Sequence, residues 1–119
     1  MTRTILIVDD SAPDRVRLET LLTAAGYQVS SAATGRQALE AVKRSKPDAI
    51  LMDVNMPEMD GYAATRALRG DVDTKDIPVV LVTAKDQKAD RAWGQMLGAK
   101  GYVTKPFTDV ELLTQVRAL

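Results

Sequence analysis

The chain has 119 residues, 45% of them apolar and 27% charged, which suits one globular domain with a single core. Sixteen basic side chains balance sixteen acidic ones, so no bulk charge draws the protein to nucleic acid or to an anionic membrane. Neither cysteine nor histidine occurs, which excludes disulfides, thiolate metal sites, a Cys nucleophile and the commonest general base. Any metal must be held by oxygen, which favours Mg²⁺, Mn²⁺ or Ca²⁺. The first apolar run is too short for a secretory signal. No stretch approaches the ~20 apolar residues of a membrane span. A cytoplasmic location is expected.

Thr4-Ile5-Leu6-Ile7-Val8 is a β-branched apolar run that reads as a buried strand, and it ends in Asp9 and Asp10. Ser11-x-x-Asp14, with Pro13 in the first turn, starts a helix. Val16, Leu18, Leu21, Leu22 and Ala25 form its apolar face, and Gly26 closes it. Tyr27 to Ala32 alternates only weakly, which places it at a sheet edge. Thr34 and Gln37 make a second capping box, Ala38, Leu39, Ala41 and Val42 carry the helix, and Pro47 follows its end.

Asp48 to Met52 reads as the next buried strand, and Asp53 terminates it. A carboxylate there is costly unless water, a cation or hydrogen bonds reach it, so Asp53 is expected in a cleft at the carboxyl edge of a sheet. Met56-Pro57 and Asp60-Gly61 in the following loop are turn chemistry. Asp60-Gly61 opens a third helix through Ala63, Ala64, Ala67 and Leu68, ended by Gly70. Ile77 to Val82 is a strand, with Pro78 at its start, and it runs into Thr83-Ala84.

A fourth helix, Asp86 to Leu97, puts Ala89, Ala92, Trp93, Met96 and Leu97 on one stripe, and Trp93 reads as core. Gly94 interrupts it at ~1 kcal/mol relative to Ala. Gly101 to Thr104 is a short strand ending at Lys105-Pro106. Thr108-x-x-Glu111 caps the last helix, whose apolar face is Val110, Leu112, Leu113 and Val116. Five strands alternating with five helices mean an α/β fold: a mostly parallel sheet covered on both faces by right-handed crossovers. No repeat or linker divides residues 1–119.

In a parallel sheet all carboxyl ends share one edge. Asp9, Asp10, Asp53, Thr83 and Lys105 therefore converge there. Three close carboxylates repel, and a divalent cation removes that repulsion. Mg²⁺ fits best, because one or two carboxylates, waters and a phosphate oxygen satisfy it. A hydroxyl and an ammonium opposite the cation suit the remaining oxygens of a phosphoryl group. Without Cys or His, the available nucleophile is a carboxylate, and carboxylates do accept phosphoryl groups. Each residue also has a plainer reading: a helix cap for Asp9-Asp10, a turn for Asp53, a strand end for Thr83, a solvated Lys105 and a core Tyr102.

Ile-Leu-Ile-Val-Asp9-Asp10-Ser, Leu-Met-Asp53-Val-Asn-Met-Pro-Glu-Met-Asp-Gly, Val-Thr83-Ala and Tyr102-Val-Thr-Lys105-Pro106-Phe107 together resemble the receiver domains of two-component response regulators. The resemblance covers nearly the whole chain. It implies a flavodoxin-like, CheY-like (βα)5 fold with strand order 2-1-3-4-5. It implies that Asp53 accepts phosphate from a phosphohistidine on a histidine kinase or phosphotransfer protein. By the same resemblance, Asp10, Asp53 and the Asn55 carbonyl bind Mg²⁺ directly, and Asp9 acts mainly through water. Thr83 and Lys105 hold phosphoryl oxygens, and Tyr102 is a switch aromatic that turns inward when Thr83 moves. The Lys105–Pro106 bond is expected to be cis, a form tolerated essentially only before proline.

A downstream target protein is expected on the Asp86–Leu97 helix, the Gly101–Thr104 strand and the last helix. Gly94 is expected to loosen that helix for the switch, and Asn55 and Lys85 to flank the path of hydrolytic water. The Thr83 to Gln95 stretch is most similar to single-domain receivers of type IV pilus twitching-motility systems, so a stand-alone receiver is the leading expectation. A receiver cut from a hybrid kinase or larger regulator is the second. An aspartyl-phosphate phosphatase of the haloacid dehalogenase type fits less well, because Asp53-Val54-Asn55 lacks the second acid of Asp-x-Asp. Intact acids, Thr83 and Lys105 argue against a scaffold-only pseudo-receiver.

Overall fold

The computed structural model describes residues 3–85 and 87–119. Its elements run β1 (Thr4–Val8), α1 (Ala12–Ala24), β2 (Gln28–Ala32), α2 (Gly35–Arg44), β3 (Ala49–Met52), α3 (Gly61–Arg69), β4 (Val79–Thr83), α4 (Lys88–Met96), β5 (Gly101–Thr104) and α5 (Asp109–Arg117). All four strand pairings are parallel, in the order β2-β1-β3-β4-β5. This is the expected flavodoxin-like arrangement. Residue 86, where the fourth helix was expected to begin, lies outside the described residues.

The apolar strands are buried on both faces, and their side chains alternate between two cores. Ile5, Ile7, Leu51, Val80 and Val82 pack against Leu18 and Leu22 of α1 and Leu112 and Val116 of α5. Leu6, Val8, Ile50, Met52 and Leu81 face Ala38 and Val42 of α2 and Ala64 and Leu68 of α3. Helix starts follow the capping residues. The Ser11 hydroxyl accepts from the Asp14 N–H, Asp60 from Ala63 and Thr34 from Gln37. Thr108 and Glu111 make the full reciprocal capping box.

Several expected apolar faces are corrected. Val16 and Val110 are 61% and 74% exposed, so α1 and α5 bury narrower stripes than their apolar residues suggest. Ala25, Ala63 and Ala67 are also exposed. The correction is largest on α4. Ala89 and Ala92 are exposed, Trp93 is 45% exposed and Met96 77%, so Trp93 is not core. The buried residue of α4 is Gly94. A Cβ there would lie 2.8 Å from the Leu81 side chain and 3.4 Å from the Tyr102 ring. Gly94 therefore permits close approach of the helix to the sheet.

Candidate functional site

Strand register builds the site. Val8 pairs with Met52, and the Asp53 N–H donates to the Val8 carbonyl at 2.8 Å, so Asp9 and Asp53 leave neighbouring strands side by side. Thr83 pairs with Thr104, and the Lys105 N–H donates to the Thr83 carbonyl at 2.8 Å. The Lys105–Pro106 peptide bond is cis. All the predicted strand-end residues thus stand on one edge.

Lys105 ties the edge together. Its ammonium donates to Asp9 Oδ2 at 2.7 Å, to Asp14 Oδ2 at 2.8 Å and to Asp53 Oδ2 at 3.5 Å. Asp9 and Asp53 are buried and Asp10 is exposed. The other oxygen of Asp9 accepts from the Ser11 N–H at 2.9 Å, and that of Asp53 accepts from the Asn55 N–H at 3.3 Å. Burial opposes the Lys105 charge, yet the bonds to Asp14 and Asp9 and the nearby Asp53 carboxylate hold its pKa above the ordinary value. Asp53 is pushed above the usual carboxylate range, first by burial and then by the Asp9 charge, with Lys105 pulling the other way.

Asp9, Asp10 and Asp53 each offer an oxygen within 4.8 Å of the others. Three hard oxygen donors with excess negative charge fit Mg²⁺. The loop after Asp53 is shaped to let this happen. A Cβ on Gly61 would sit 2.2 Å from the Asp53 carbonyl oxygen, so only glycine allows α3 to start so close to the site. In the same loop Glu58 takes a positive φ of 67°.

Thr83 is fully buried, and its hydroxyl accepts from the Lys85 N–H at 3.4 Å. Tyr102 is half-buried beside Gly94, and its hydroxyl donates to the Lys85 carbonyl at 2.8 Å. Burial and the adjoining Tyr62 hydroxyl push its phenol above the ordinary pKa. The Arg91 guanidinium lies 5.0 Å from the centre of its ring. Asn55 and Lys85 are exposed at the rim. Asp14 is the group that sequence reasoning missed. Its place in a Ser-x-x-Asp signature accounts for its backbone N–H, which Ser11 caps, but leaves its carboxylate free to reach Lys105.

Among the described residues no helix is long and apolar enough to cross a membrane. The sequence profile of the response regulator receiver domain matches residues 5–117. The chain is 43% identical to protein PilH of Pseudomonas aeruginosa over 97% of its own length and 95% of that protein's. Other curated relatives are longer: the chain spans 26% of response regulator PleD of Caulobacter vibrioides, at 47% identity. Among solved structures it is similar to the Pseudomonas aeruginosa receiver domain of sensor histidine kinase PA1611, with a TM-score of 0.90 and 34% identity over 99% of this chain and 97% of that one. That receiver holds a magnesium ion coordinated in its active site cleft.

Proposed function

The chain belongs to the family of response regulator receiver domains of two-component systems, and from that premise we propose that Asp53 is its phosphoacceptor. The observation that carries the reading is the convergence of Asp9, Asp53 and Lys105 at the strand ends, bridged by one ammonium. A carboxylate oxygen of Asp53 attacks the phosphorus of a phosphohistidine on a histidine kinase or phosphotransfer protein. The P–N bond breaks, the new O–P bond forms, and the departing imidazole takes up a proton. Lys105, held charged by its acidic neighbours, binds one phosphoryl oxygen, and the Thr83 hydroxyl binds another. Asp10, Asp53 and the Asn55 carbonyl would hold Mg²⁺, with Asp9 acting through water. Bound there, the ion neutralises charge on the phosphoryl oxygens and on the acids.

The new phosphoryl group brings about −1.5 to −2 charges and three acceptor oxygens. Thr83 is drawn to it and Tyr102 turns into the vacated space, changing the surface of α4, β5 and α5 where a target protein docks. The half-buried Tyr102, bonded at its hydroxyl to the backbone just beyond Thr83, supports that coupling. The chain is a signalling domain, and the only reactions it assists are its own phosphorylation and dephosphorylation, with Asn55 and Lys85 at the rim setting access of water.

The near full-length match to PilH and the likeness of Thr83 to Gln95 to pilus receivers favour a stand-alone cytoplasmic receiver over residues 1–119, acting in twitching motility. The longer relatives favour a second reading, a receiver within a larger regulator. An open reading frame extending past residue 119 would select the second. The phosphoacceptor is tested with acetyl phosphate and Mg²⁺. Intact mass is expected to rise by one phosphoryl group, and Asp53→Asn to lower the rate at least ~100-fold. Equal uptake by the Asn variant would refute the assignment.

A further inference from the structure

We propose that Asp14 is a positioning residue that holds the Lys105 ammonium back from the phosphoacceptor and so slows phosphoryl uptake. The proposal rests on Asp53 being that acceptor. An ammonium has three protons to give. Lys105 directs its two shorter bonds to Asp9 at 2.7 Å and Asp14 at 2.8 Å, and its longest contact, 3.5 Å, to Asp53. A phosphoryl oxygen arriving on Asp53 needs one of those donors. Asp9 belongs to the acidic cluster, where a bound cation would share its charge and weaken its hold on Lys105. Asp14 lies outside that cluster, so its hold persists.

Asp14 is anchored independently of the strand ends. It sits in the first turn of α1, where the Ser11 hydroxyl caps its N–H, while Lys105 arrives from β5, 91 residues along the chain. Its carboxylate is 43% exposed against 17% for the lysine side chain, so it meets both the ammonium and solvent. Asp14, Arg17, Ala84, Lys105, Pro106 and Phe107 line a cleft of about 340 Å³. Asp14 therefore opposes phosphorylation by competing for Lys105.

The test compares the wild-type chain with Asp14→Asn, Asp14→Glu and Asp109→Asn. Asp109 is 73% exposed and paired only loosely with Arg17 at 3.9 Å, so its variant matches the charge change without removing a bond to the ammonium. Initial rates with acetyl phosphate and Mg²⁺ are read by intact mass, and beryllofluoride binding by calorimetry. Asp14→Asn is expected to raise both roughly three- to tenfold, the size of one unit charge acting across a solvated site. Asp14→Glu, which can keep the ion pair, should stay near wild type, and Asp109→Asn within about twofold. An unchanged or slower Asp14→Asn, or an equal gain in Asp109→Asn, would overturn the proposal while leaving Asp53 in place. A wild-type chain that takes up no phosphoryl group would sink the acceptor reading and this proposal together.

Discussion

At the carboxyl edge of the sheet, Asp9, Asp53 and Thr83 are buried, and each has a hydrogen-bond partner in the neighbouring backbone or in Lys105. On α4, nine residues long, Gly94 is the buried one, and Trp93 and Met96 face outward. Side-chain bonds fasten that side: Tyr62 to the Asp90 carbonyl at 3.0 Å, Tyr102 to the Lys85 carbonyl at 2.8 Å and Arg91 to the Thr104 hydroxyl. Under the proposed function the difference separates two tasks. Chemistry at Asp53 needs groups fixed by packing and charge, whereas the proposed switch needs a loosely held element, so that a small change at Thr83 shifts its equilibrium.

Two glycines expose the contrast most clearly. Gly61→Ala drives a Cβ into the Asp53 carbonyl oxygen, backbone that cannot yield without moving the site. We expect a loss of about 2–3 kcal/mol in urea unfolding, at the upper end for an overpacked position. A neutral outcome would mean that the β3–α3 loop is not held as described. Next in size is the metal-free stability of Asp53→Asn. A folded-state pKa raised by burial means that the folded chain binds a proton more readily than the unfolded one. Wild-type stability then falls as pH rises from the ordinary carboxylate pKa through the raised value. The Asn variant lacks that loss, so it should melt higher than wild type at neutral pH in chelator, with the gap closing in acid. A gap that widens in acid would reverse the sign.

The smallest effect is expected at Gly94. Ala there gains ~1 kcal/mol of helix propensity, set against crowding of the flexible end of Leu81, so net stability should change by less than ~1 kcal/mol. The consequence should appear instead in Tyr102, as a changed ring environment by NMR. A destabilisation as large as that of Gly61→Ala would make α4 as rigidly packed as the site.

Much of this was legible in the sequence. Apolar runs ending in Asp9, Asp53 and Thr83 located the strands and their shared edge, because in a parallel sheet chain direction alone fixes which ends meet. Capping residues located the helix starts. Periodicity failed on α4, since an apolar stripe states what a helix could bury and not what covers it. The residue that does pack, Gly94, has no hydrophobic signature at all. Asp14 escaped for a related reason. One local role, in a helix start, explained its presence, and its second partner lies 91 residues away.

Chemical trapping tests the central claim most directly. After incubation with Mg²⁺ and acetyl phosphate, borohydride reduces an aspartyl phosphate to homoserine, and peptide mass spectrometry locates it. Homoserine at position 53 and at no other acidic position is the predicted result. Homoserine at Asp9, Asp10 or Asp14 with Asp53 intact would contradict the account.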